Sequence, residues 1–119
     1  MKKFLIGRAK GAWYVLKGMW FLVSKEDAIK AQLFIFLIVT GLGCWVGITP
    51  QEWLIQVFCF GLIWVAEGLN TAIEKICDYI QPKHDKRIGL IKDISAGAVG
   101  MAALFAFINA CIIYCKYLM

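Results

Sequence analysis

Four polar residues follow a long apolar run at helical spacing: Glu67, Asn70, Glu74 and Asp78. On an α-helix they fall within about 80° of one another, on one face, and step down it over roughly 16 Å. Glu67 comes directly after the uncharged stretch 53–66, so it is reached without leaving a hydrophobic segment. A carboxylate at membrane depth costs about 2.5 kcal/mol or more, and the default reading of such a group is that it binds or reacts. Glu74 and Asp78 stand one turn apart. For each acid the alternative is neutralisation by a lysine at a helix–helix contact; Lys75 is the neighbour for Asp78, while Glu67 has no basic residue close in sequence. Asn70 either orients a carboxylate or bridges two helices.

Other residues supply possible partners. Glu26 and Asp27 lie upstream, and a Mg²⁺ ion commonly takes one or two carboxylates together with substrate phosphates. Glu26 and Glu74, from two helices, suit that role; a solvated acidic pair among lysines is the alternative. Lys92-Asp93 precedes an apolar run, with Asp93 as the expected N-cap, and a helix N-terminus favours anions. Lys83, Lys86, Arg87 and Lys92 would attract a polyphosphate or serve only to set membrane topology. His84 is alone in its loop. Residues 95–100 form a small-residue run suited to close helix packing. There is no phosphate-binding GxxxxGK[ST] loop and no GxSxG nucleophile elbow.

The elements that must place these groups are membrane helices. Hydrophobic residues make up 61% of the 119-residue chain, above the ~45–50% of soluble domains. Thirteen Lys+Arg against eight Asp+Glu give a net charge of +5. No basic stripe interleaved with aromatics stands in a polar context, so nucleic acid is not an expected partner. Arg8 and Lys10 interrupt the first apolar stretch, which argues against a cleaved leader. The five cysteines form no CxxC and read as small packing residues kept reduced.

Residues 1–28 mix apolar and basic positions at helical spacing, the pattern of an amphipathic helix lying on the membrane surface. Ser24 or Asp27 is the expected cap of the helix that follows. Helices with transmembrane spans are expected over 30–48, 53–80 and 94–117, with a tight turn at 49–52, whose Pro50 is placed to open the next helix, and a polar loop over 81–93. Seven Lys/Arg precede Ala31 and five lie within 75–92, while the 49–52 turn has none. The N-terminal segment and the 81–93 loop are therefore expected on the cytoplasmic side. Glu67 would lie deepest, with Glu74 and Asp78 progressively nearer water, so that a lipid head group could meet a soluble cosubstrate.

The pattern Glu67-x-x-Asn70-Thr71-Ala72-Ile73-Glu74-x-x-x-Asp78, followed by Lys92-Asp93 and Ser95-Ala-Gly-Ala-Val99, resembles the prokaryotic integral-membrane diacylglycerol kinases and their undecaprenol kinase relatives. Lys17-Gly18 and Glu26 fall at the matching upstream distances, and the resemblance covers essentially the whole chain. It implies an all-α membrane protein, a homotrimer in the bacterial cytoplasmic membrane, and an ATP-dependent lipid kinase whose active site faces the cytoplasm. Carried over, Glu67 is the general base on the lipid hydroxyl, and Glu26 and Glu74 hold Mg²⁺. Tyr14, Lys92 and Asp93 line the nucleotide site; Asn70 and Asp78 support it. The chain departs from the family at two places. Gly7, beside Arg8, stands where an arginine is usual, and Pro82-Lys83-His84-Asp85 replaces the usual Pro-Glu-Tyr/His-His loop. The competing function is a small proton-coupled transporter using Glu67. A passive scaffold would not explain the cost of keeping that acid in lipid.

Overall fold

A computed structural model describes residues 1–119. It is all-helical, with α1 (Lys2–Lys25), α2 (Asp27–Val46), α3 (Pro50–Ile80) and α4 (Lys86–Leu118). Residues 1–34 and 35–119 form two compact units, the boundary falling inside α2.

In the first unit, α1 stops at Glu26, whose extended backbone (φ −92°, ψ 114°) breaks the helix while its N–H still donates to the Leu22 carbonyl. Ser24, an expected cap, is instead turned back on α1: its hydroxyl donates to the Trp20 carbonyl at 2.6 Å. A serine inside a helix commonly makes this bond, and it leaves the hydroxyl unavailable to α2. Asp27 opens α2, where a carboxylate complements the helix dipole, and Lys30 stands 4.0 Å from it.

In the second unit, α2 ends in a turn at Gly47, whose φ of +74° is the left-handed conformation that glycine adopts without strain. The N–H groups of Gly47 and Ile48 both return to the Gly43 carbonyl. Thr49 then caps α3. Its Oγ1 accepts from the Glu52 N–H at 3.2 Å, and Glu52 Oε1 accepts from the Thr49 N–H at 2.9 Å. This is a capping box with Pro in the first turn. The helix therefore starts at Pro50, and the 49–52 segment expected as a turn is its cap and first turn.

The start of α4 differs from expectation in the same way. Asp85 is the N-cap, its Oδ1 accepting from Arg87 N–H (2.8 Å) and Ile88 N–H (3.3 Å). Asp93, expected to cap, stands two turns inside the helix. Charged residues 86–93 are helical, and the loop shrinks to 81–85.

The 31 residues of α3 and 33 of α4 are each about 45–50 Å long, more than the ~30 Å hydrocarbon core. They pack antiparallel. Glu52 pairs with Lys116 at one end and Asp78 with Lys92 at the other. The inward stripe of α3 runs through Glu52, Gln56, Ile63, Glu67, Asn70 and Cys77, at steps of one or two helical turns. The matching stripe of α4 runs through Lys92, Ser95, Val99, Ala102, Ala106 and Ile113, and its small members let the backbones approach.

A small apolar core of Ile48, Ile113 and Tyr114 closes the Glu52 end. Phe36 of α2 meets Phe60 and Trp64 of α3 edge-on, with ring centroids 4.9 and 5.3 Å apart.

Most large apolar side chains of α2, α3 and α4 are exposed, Phe34, Trp45, Phe58, Phe107 and Ile112 among them. These three helices are long and apolar enough to cross a membrane. All five cysteines are free thiols; Cys77 is buried and Cys59 half-buried, whereas Cys44, Cys111 and Cys115 are exposed on the spans.

Candidate functional site

The polar face of α3 exists because Glu67, Asn70 and Glu74 occupy stripe positions that elsewhere on the helix carry Ile63 or Cys77. Burial holds from Glu67 to Thr71 and falls off beyond. Glu67 is 9% exposed, Asn70 7% and Thr71 6%, Glu74 is half-buried and Asp78 exposed. The amide of Asn70 donates to Glu74 Oε1 at 3.2 Å. This is the contact that an orienting role for Asn70 requires. Asn70 Oδ1 is buried without a partner in this chain.

Lys92 reaches across from α4 to Asp78, Nζ to Oδ1 at 2.5 Å. This neutralises Asp78, as one of the two sequence readings anticipated, but the lysine is Lys92 and not the sequence neighbour Lys75. The pairing brings Lys92 to the lower end of the carboxylate face. Asp93 is next to it on α4 and exposed.

Ser95, one turn further on, is 7% exposed and its Oγ has no hydrogen-bond partner. Sequence reasoning passed over it as the start of a small-residue run. The available signal was that it is the only Ser or Thr on α4, at i+3 from Lys92.

Glu26 and Tyr14 belong to the first unit. Glu26 is half-buried at the break between α1 and α2, and Tyr14 is exposed on α1. In the 81–85 loop His84 is exposed, and Arg87 stands 3.7 Å from Asp85. Nowhere do three or more His, Cys, Asp or Glu side chains gather as a metal cage. The donor chemistry at Glu74 is a hard carboxylate, which suits a Mg²⁺ ion completing its shell with phosphate and water oxygens.

At the opposite end of the α3–α4 pair the one carboxylate side chain, Glu52, is taken up by Thr49, Lys116 and Tyr117. An apolar groove of about 410 Å³, lined by Val39, Leu42, Ala110, Cys111, Tyr114 and Leu118, lies there.

Residues 13–114 match the family described as prokaryotic diacylglycerol kinase. The chain is 28% identical over 104 residues to the diacylglycerol kinase of Escherichia coli K12, covering 87% of this chain and 85% of that one. It is 31% identical over 98 residues to the undecaprenol kinase of Bacillus subtilis 168, covering 82% and 80%. The chain belongs to the prokaryotic diacylglycerol kinase family and is a membrane-embedded lipid kinase. The transporter alternative is not favoured.

Proposed function

We propose that this kinase transfers the γ-phosphoryl group of ATP to the hydroxyl of a membrane lipid alcohol, diacylglycerol or undecaprenol, with Glu67 as general base. The observation that carries the reading is the buried Glu67 at one end of a polar helix face whose other end meets Lys92. Phosphoryl transfer asks mainly for positioning and charge neutralisation. Glu67 takes the proton from the lipid hydroxyl as that oxygen bonds to the γ-phosphorus, and the bond to the leaving ADP oxygen breaks. Asn70 holds the Glu74 carboxylate in place. Glu74 and Glu26 are the residues that would hold Mg²⁺, which when bound offsets charge on the phosphates. Tyr14, Lys92 and Asp93 contact the nucleotide, Lys92 as a cation on phosphate oxygen.

Membrane depth supports this division of labour. With Glu52, Lys116 and the neighbouring Trp53 taken as one membrane boundary, ~20 residues of helix cross the ~30 Å core and reach the other boundary near position 72. Glu67 then lies within about 8 Å of that boundary, inside the lipid, with Glu74 and Asp78 beyond it. A head-group hydroxyl and a water-borne nucleotide can meet across that interval. The lysine distribution puts this side in the cytoplasm. On the mixed apolar and basic pattern of its residues α1 lies along the membrane surface, and the homotrimer is what the family resemblance implies.

The test is incubation of purified protein in lipid bilayers with ATP labelled at the γ-position, against a panel of lipid alcohols. The expected result is label in extractable diacylglycerol phosphate or undecaprenyl phosphate. ATP turnover with no labelled lipid from any alcohol in the panel would contradict the proposal.

A further inference from the structure

Two carboxylate–lysine pairs join α3 to α4, and they are built differently. Glu52, with a side-chain exposure of 11%, is saturated. Its Oε1 accepts from the Thr49 N–H at 2.9 Å and the Tyr117 hydroxyl at 2.6 Å, and its Oε2 takes Lys116 Nζ at 2.9 Å. Cap, hydroxyl and ammonium converge on it, and the pair fastens two helix ends.

Asp78 has one partner. Its carboxylate is 62% exposed and receives only Lys92 Nζ, whose side chain is 37% exposed. An ammonium carries three donors. One is engaged by Asp78, leaving two for an anionic oxygen. The pair also stands beside chemistry that Glu52 lacks. Glu74, fixed by Asn70, is one turn above Asp78 on the same face of α3.

A lysine head on a flexible four-carbon stem loses side-chain entropy when it is immobilised on a ligand. A counter-ion that fixes it beforehand removes that cost from the binding and reaction steps. An exposed ion pair adds little to stability by itself, so fastening the helices is a weak reason for this one.

We infer that Asp78 is a positioning residue for phosphoryl transfer: it holds the Lys92 ammonium where the transferring phosphate arrives, sharing the lysine with the phosphate rather than releasing it. The inference rests on the assignment of Lys92 to the nucleotide. It gives Asp78 a task distinct from those proposed for Glu67, which would take the proton, and for Glu74, which would hold the metal.

The experiment compares the wild type with Lys92→Met, Asp78→Asn, Asp78→Glu and the charge swap Asp78→Lys/Lys92→Asp. It measures lipid-phosphorylation kcat, KM for ATP and melting temperature in detergent. Lys92→Met is expected to lose turnover. Asp78→Asn should lower kcat by roughly ten- to a hundredfold, the scale of a misplaced catalytic group, with an unchanged melting temperature. Asp78→Glu should recover much of that loss. The swap should keep the melting temperature and remain inactive. Near-normal turnover in Lys92→Met would remove the nucleotide assignment and this inference with it. An inactive Lys92→Met beside an Asp78→Asn within about twofold of wild type would overturn the inference alone. A swap that regains turnover would show a fastening role and also overturn it; if Asp78→Asn fails to fold, Asp78→Ser is measured in its place against the same twofold limit.

Discussion

Glu67, Asn70, Glu74 and Asp78 share one helix face and divide into different environments, and the different tasks proposed for them follow those environments. Glu67 is enclosed at 9% exposure, Glu74 is held by the Asn70 amide, and Asp78 is matched to Lys92. The Glu74→Gln substitution keeps an acceptor for Asn70 and removes the charge that a Mg²⁺ ion needs. It is expected to weaken nucleotide binding mainly in the presence of Mg²⁺, so the Mg²⁺ concentration for half-maximal activity should rise about tenfold or more. A Mg²⁺ titration of kcat/KM for ATP checks this; an unchanged titration would remove Glu74 as a ligand. The shared face was legible in the sequence because helical spacing and the preceding apolar run are both local. The partner of Asp78 was not. Lys75 was the only candidate that proximity in the chain offered, whereas Lys92 depends on the register of an antiparallel pair.

At the scale of elements, three membrane-length helices were legible from apolar runs; of their first turns, Asp27 and Pro50 were legible as opening residues and the start of α4 was not. Those turns are polar: Thr49, Pro50, Gln51 and Glu52 cap and open α3, and Asp85 caps α4 ahead of the charged residues 86–93. Apolar contrast disappears there, so the capping chemistry is the usable signal, and Thr49-x-x-Glu52 carried it in plain form. The inward face of α4 was hidden for another reason, since a helix apolar nearly all round shows no stripe. The contacts that fasten α2 to this pair are testable. A Cβ on Gly43 would lie 2.9 Å from the Tyr114 hydroxyl, 3.0 Å from Trp53 and 3.1 Å from Ile48. Gly43→Val is therefore expected to destabilise the fold by about 1–3 kcal/mol, measured by reversible unfolding in detergent. The Tyr114 hydroxyl lies 2.5 Å from Gln56 Oε1 and 3.2 Å from the Val39 carbonyl. Tyr114→Phe should cost about 1 kcal/mol, the size of a membrane-buried hydrogen bond. Lipid phosphorylation by the folded fraction should remain, because Tyr114 sits at the end away from Glu67.

At the scale of the whole molecule, the lysine distribution and the two unequal ends of the α3–α4 pair support the proposed direction of the chain in the membrane. The end with Glu52 and its partners joins the two helices through a saturated carboxylate; the end with Glu74, Asp78 and Lys92 is the one proposed to react. In a variant lacking the natural cysteines, Gln51→Cys is expected to react with a membrane-impermeant maleimide in intact cells, and Lys83→Cys only after permeabilisation. The opposite labelling pattern would reverse the topology. Family membership defines the enzyme class, while the choice between diacylglycerol and undecaprenol rests on apolar surfaces of the spans, where side chains carry no readable code for a chain or prenyl tail. The central claim concerns Glu67, and the most direct measurement is transfer of γ-label from ATP to a lipid alcohol by wild type and by Glu67→Gln, alongside nucleotide affinity. The account predicts that turnover in the variant falls to background while MgATP binds as in wild type; a variant that phosphorylates lipid at a near-normal rate would contradict it.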